Sequence, residues 1–158
     1  MKLHRVWCEL PKRRIHRVTV YLLDNERKRV LLQQGKEAPF VSSYIPLSTT
    51  LNDWETPVET AHKLVLERTH LDCIFLGHNP AMPLVLDEIS VKIFPPLHVQ
   101  VISVDDQTDY VDYVYLGQVM ATPEFREGGP ICWFHQNNLK NSPNHVKHIV
   151  RFVLSLMN

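Results

Sequence analysis

Nine histidines, three cysteines and scattered serines are the side chains of this chain best suited to bind a metal or attack a substrate, and few stand at a useful spacing. His145 and His148 lie at i, i+3, which puts both on one helix face. Two ligands fall short of the four that a closed zinc site takes, and no cysteine stands at a matching interval. Cys8, Cys73 and Cys132 form no CxxC pair. No serine occupies a GxSxG elbow, so a covalent nucleophile has no local support. GxGxxG and GxxxxGK(S/T) are both missing, which removes the dinucleotide fingerprint and the P-loop.

Charge is the stronger signal. Seventeen Lys and Arg balance seventeen Asp and Glu, yet residues 1–36 hold ten bases and three acids, so the remaining chain is acidic. Residues 1–16 therefore read as a basic N-terminal arm or edge segment. Lys2, Arg5, Lys12, Arg13, Arg14 and Arg17 could meet an anionic partner such as RNA, with a steep loss of affinity in salt, or else form a solvated basic surface beside an acidic one. Trp7 is the one aromatic among those bases, so a stacking platform for single strands is not indicated.

Around these residues the composition is that of a globular domain, 44% hydrophobic and 22% charged over 158 residues, which excludes a disordered tail and a coiled coil. One domain, 1–158, is expected. Odd, widely spaced cysteines point to a reducing compartment. The basic start lacks the apolar run of a signal peptide, and no stretch approaches a membrane span. The expectation is a cytoplasmic protein with no membrane partner.

Val18–Leu23 and Val30–Gln33 flank a polar DNERK turn and read as a β-hairpin whose first strand is apolar on both faces. Residues 36–53 read as a loop with one short strand. Thr56, Pro57 and Glu59 combine an N-cap, a proline at the first helical position and a capping box. The helix they open carries Val58, Ala61, Leu64 and Val65 on its apolar face, to about His70. Ile89–Phe94, Leu97–Val104, Tyr110–Met120 and Ile131–His135 read as strands. Ser142-Pro143 opens a second helix, with Val146, Ile149, Val150, Val153 and Met157 inward. The order is sheet, helix, sheet, helix.

Residues 46–72, PLSTTLNDWETPVETAHKLVLERTHLD, resemble the Nudix box, the loop and helix that hold magnesium in hydrolases of nucleoside diphosphates linked to another moiety. Glu55, Val65, Glu67 and Leu71 match constrained positions of that pattern, and Lys63 stands in for its arginine. Thr49 and His70 replace its two glycines, and Leu64 and Arg68 replace two of its glutamates. YVDYVYLGQV and EGGPICWF are similar to later strands of the family. The resemblance implies an α/β (α+β) fold, the αβα sandwich with a mixed β-sheet, over about residues 17–157.

It also implies a chemistry. Carboxylates at positions 64, 67 and 68 would share a helix face and gather hard cations, which bridge diphosphate oxygens and acidify the attacking water. Here that face carries Leu64, Glu67 and Arg68. An arginine about 4 Å from a divalent ion opposes it by roughly 8 kcal/mol at an effective dielectric of 20. Residues 46–71 also hold no glycine that would let backbone amides approach a diphosphate.

Three functional expectations follow. The first is a Nudix-fold pseudoenzyme with a degenerate box and no cofactor, which binds a nucleotide or another phosphorylated small molecule through Glu55, Lys63, Arg68 and Trp54. Lys63 and Arg68 would then neutralise phosphate directly, or else lie on a solvated helix face. Trp54 would cover the pocket mouth or stack on a base, or else pack at the core edge. The second is a hydrolase with a weak or relocated Mg or Mn site, with Glu67 catalytic and Glu55 and a loop acid, Glu124 or Glu127, completing the metal set. The third is RNA or nucleoprotein binding through the basic arm. Homodimers are common in the family, which makes a homodimer a further expectation.

Overall fold

The computed structural model describes residues 12–37, 40–77 and 95–156. Lys2, Arg5, Trp7 and Cys8, the expected strand Ile89–Phe94, and Met157 lie outside them.

The hairpin forms as the pattern requires. β1 (Arg13–Leu23) and β2 (Val30–Gln34) pair antiparallel through Leu22 with Leu31 and Leu23 with Val30. Asp24 organises the turn between them. Its carboxylate is buried, accepts from the Lys28 and Arg29 amides at 2.8 and 3.2 Å, and meets Arg29 Nε at 3.0 Å.

β1 begins five residues before the expected Val18. Its whole length, Arg13–Leu23, pairs in parallel with β7 (Thr108–Val119). Arg13 to His16 are thus the leading part of a strand rather than an arm. Neighbouring Lys12 is tied down too, since its ammonium donates to Ser103 Oγ at 3.0 Å and lies 3.4 Å from buried Asp109. A long partner strand that hydrogen-bonds the backbone along one whole edge outweighs the polar side chains of RRIHR.

Residues 36–53, expected to hold one short strand, hold two. β3 (Tyr44–Ile45) pairs with β2, and β4 (Leu47–Thr50) pairs with β1 over Arg17–Val20. β5 (Cys73–Phe75), β6 (His98–Ser103) and β8 (Ile131–Phe134) complete eight strands among the described residues, with β5 and β6 on β7 and β8 on β2. β5 is three residues long, too short for a periodicity.

α1 (Pro57–Thr69) opens on the expected capping box, with Thr56 Oγ1 accepting from the Glu59 amide and the Glu59 carboxylate accepting from the Thr56 amide. It closes at His70, which adopts φ 58° and donates its amide to Leu66. α2 (Asn144–Leu156) starts one residue after Pro143.

Alternation along β1 divides the core. Val18, Val20 and Leu22 point to one face, where Leu47, Ala61, Leu64, Val65 and Tyr115 bury them under α1. Tyr21 and Leu23 point to the other, where Val114, Leu116, Val146, Val150 and Val153 close over them beneath α2. A mixed sheet between two helices results, the expected αβα sandwich. Among the described residues no helix is long and apolar enough to cross a membrane.

Candidate functional site

β4 and β2 follow one another along the same edge of β1, the first on Arg17–Val20 and the second on Leu22–Leu23. Where they part, a cleft of about 340 Å³ opens, lined by Arg17 and Ile15 of β1, Gln33 and Gln34 of β2, Gly35, Lys36, Glu37 and Phe40, Ser48, Thr49 and Thr50 of β4, Tyr110 of β7 and Arg68 of α1. That volume lies at the lower end of small-molecule sites. Its charged walls are Arg17, Lys36 and Arg68 against Glu37, so an anion is favoured there.

Two of these cations have a defined seat. Arg68 stands in the last turn of α1 and donates from Nη1 to Gln33 Oε1 at 3.0 Å, which carries its guanidinium across to the cleft. Arg17 donates from Nη2 to Ser48 Oγ at 2.8 Å and lies 4.5 Å from the centre of the Tyr110 ring. That contact holds a planar cation flat against an aromatic wall. The loop keeps its shape through Gly35, whose amide donates to Ser43 and whose carbonyl accepts from Ser42.

Below the cleft lies a second, smaller chamber of about 20 Å³, which shares Arg17, Phe40, Ile45, Ser48 and Tyr110 with it. Asp112, Thr19 and Gln100 bring polar groups to a lining that is otherwise largely apolar. Asp112, nearly buried, accepts from Thr19 Oγ1 at 2.7 Å and from Gln100 Nε2 at 3.4 Å. The Tyr21 hydroxyl and Arg17 Nε are buried with no hydrogen-bond partner among the described residues. Burial, with Asp112 adding to it, pushes the Tyr21 hydroxyl well up, so it stays protonated. His145 closes the chamber from α2 against Phe40, and its burial lowers its pKa despite the opposing pull of Asp112.

Glu55, Lys63 and Glu67 face an adjoining pocket of about 130 Å³ beside α1, lined also by Asn52, Thr60 and Leu64 and sharing Thr49 and Thr50 with the cleft. Glu55 is engaged there. It accepts from Thr60 Oγ1 at 2.9 Å and from Lys63 Nζ at 3.2 Å, and these bonds hold its carboxyl below the usual range. Leu64 is 2% exposed and belongs to the core under α1. The structure thus brings Glu55, Lys63 and Glu67 to one pocket and Arg68 to another. Trp54 is 92% exposed, which rules out packing at the core edge, and it lines neither pocket. Glu124 and Glu127 are exposed on the loop before β8 and line neither pocket.

Among the described residues, the donors that line this pocket fall short of a magnesium cluster. Glu55 already meets an ammonium, Leu64 offers no oxygen, and Glu67 alone adds a carboxylate. Among the described residues no group of three or more His, Cys, Asp or Glu is placed to hold a metal ion, the pair His145 and His148 included.

Sequence reasoning missed the cleft's other side, Tyr110, Gln33 and Ser48, and Asp112 of the smaller chamber, with Arg17 assigned to the arm. The signal was available. Arg17, Thr19 and Tyr21 alternate with Val18, Val20 and Leu22, and DYVDYVYL places aspartates inside a strand. A buried strand aspartate needs partners, and it marks a polar site on one face.

No family model and no curated protein matches the sequence. Solved structures do match. A crystal structure of a hydrolase of the NUDIX family from Clostridium perfringens is 20% identical, with a TM-score of 0.68 over 92% of this chain and 99% of that one. A NUDIX hydrolase from Nitrosomonas europaea is 13% identical, with a TM-score of 0.60 over 91% of this chain and 90% of its own. Sandwich, sheet order and these likenesses agree: the chain has the fold of the Nudix hydrolases.

Proposed function

We propose that this chain is a Nudix-fold binding protein for a nucleotide or similar phosphorylated small molecule, held in the cleft between β1, β2, β4 and the end of α1, without diphosphate hydrolysis by a box-bound metal. The observation that carries the reading is the position of Arg68. At a place where the family's pattern has a glutamate for cations, a guanidinium faces the cleft beside Arg17 and Lys36. Guanidinium forks pair phosphate oxygens directly, so anion neutralisation needs no metal. Leu64 in the core and Glu55 paired to Lys63 support the same reading, because each withdraws a ligand from a metal cluster.

The hydrolase reading keeps one observation in its favour, that Glu55 and Glu67 line the same pocket. One experiment separates the two. Phosphate release and equilibrium binding are measured with nucleoside diphosphates, nucleotide sugars and dinucleoside polyphosphates, with and without magnesium or manganese, for the parent and Glu67→Gln. The expected result is binding without turnover, unchanged by Glu67→Gln. Metal-dependent turnover that vanishes in Glu67→Gln would overturn the proposal. A short RNA in the same binding series tests the basic segment, whose Lys12 is already paired with Asp109. Preference for RNA over every small molecule would also overturn it.

A further inference from the structure

The charge that favours phosphate in the cleft works against magnesium. Arg17, Lys36 and Arg68 line it against one carboxylate, Glu37, an excess of two positive charges. None of the three cations forms an ion pair among the described residues. The two guanidiniums bond neutral oxygens, Ser48 Oγ and Gln33 Oε1, so their charge is uncancelled and further N–H groups remain for a ligand. Carboxylates that would offset them lie elsewhere. Asp112 lines the chamber beneath, and Glu55 and Glu67 line the adjoining pocket, where Lys63 already holds Glu55.

A diphosphate in solution exists with and without magnesium, and the two forms suit this cleft differently. The ion cancels two of the negative charges and takes the oxygens that a guanidinium fork would pair. It also keeps a shell of firmly held water and seeks oxygen ligands, for which the cleft walls offer one carboxylate against three cations. Attraction to the walls is therefore weakened, and repulsion of the ion is added.

Resting on the reading of the cleft as a phosphate site, we propose that this chain binds the metal-free form of its ligand, with magnesium as an antagonist of binding. The ion acts on the ligand rather than on the protein, by claiming phosphate oxygens in solution. Only the uncomplexed fraction is competent, so apparent affinity falls in proportion to it. A diphosphate, which chelates magnesium, is penalised, and a monophosphate, which holds the ion weakly, is nearly spared. The cation that the box-like pattern would gather as a helper becomes a competitor.

Calorimetric titration with adenosine diphosphate and adenosine monophosphate tests this, once with a chelator and once with magnesium, at ionic strength matched by sodium chloride so that screening is equal in both. With about nine-tenths of the adenosine diphosphate complexed, its affinity is expected to fall about tenfold. Adenosine monophosphate should weaken by less than about twofold. Protein added to the magnesium complex of adenosine diphosphate should release the ion, one for each nucleotide bound, read by a magnesium-sensitive dye. Affinity unchanged or raised by magnesium, or nucleotide bound without release of the ion, would overturn the inference and leave the cleft reading standing. An equal loss for both nucleotides would place the ion's effect on the protein and also overturn it. Binding of neither nucleotide in either buffer would overturn both readings.

Discussion

Lys63 Nζ lies 3.2 Å from Glu55 Oε1, with Thr60 Oγ1 donating to the other carboxylate oxygen at 2.9 Å. The first glutamate of the box-like pattern and the stand-in for its arginine thus neutralise each other beside the first turns of the helix. Glu55 is held ionised by hydrogen bonds, that of Thr60 first and that of Lys63 second. Its pKa in the folded state lies below the unfolded value, so the stabilisation is present above the ordinary carboxylate range and fades as pH falls through the folded pKa. Thr60→Val, which keeps the buried shape, should move the Glu55 titration upward toward the ordinary value. An NMR titration of the Glu55 side-chain carbon reads this. Added salt should weaken the Lys63 contribution and spare that of Thr60.

Arg68 and Lys63 stand five residues apart but line different pockets, so their roles separate on substitution. Arg68→Ala should weaken nucleotide binding by tenfold or more, since a hydrogen bond to a charged group is worth about 1.5–3 kcal/mol. Lys63→Ala should change that affinity by less than twofold. Parallel calorimetric titrations check both, and a larger effect at Lys63 would place the phosphates beside Glu55 rather than in the cleft.

Gly35 is required by space. A Cβ there would come within 2.0 Å of the Phe40 carbonyl oxygen. Backbone must move to admit it, at a cost on the order of 1–3 kcal/mol. Gly35→Ala is therefore expected to lower the melting temperature by several degrees in a thermal scan. Nucleotide affinity should fall with it, because Lys36, Glu37 and Phe40 line the cleft on that loop.

The elements legible in the sequence were those with a local cause. Thr56, Pro57 and Glu59 act within one helical turn, and the hairpin rests on two runs of β-branched and aliphatic residues around a polar turn. Arg13–His16 was misread because its strand depends on a partner about ninety residues away, and no nearby residue encodes that pairing. The site divides in the same way. Glu55, Lys63 and Glu67 lie on or just before one helix, and the resemblance to a local motif, the Nudix box, pointed to them. The other wall of the cleft comes from β1, β2, β4 and β7, which meet through sheet register alone.

His70 shows how a departure from the family's pattern can be weighed as stability. The box closes on a glycine, and this chain has His70 there with φ 58°, the left-handed conformation that ends α1. A side chain in that region costs roughly 1–2 kcal/mol, while glycine gives back part of the gain through the entropy of the unfolded chain. His70→Gly should therefore raise stability by roughly 0.5–1 kcal/mol, read as a higher urea midpoint at unchanged slope. The His70 amide donates to the Leu66 carbonyl through the backbone, so the helix end itself is kept. His70 lines neither pocket, and nucleotide affinity should not change. A loss of stability instead would mean that the imidazole makes contacts outweighing the backbone strain. The missing glycine would then be a compensated replacement and not a relic of a decayed motif.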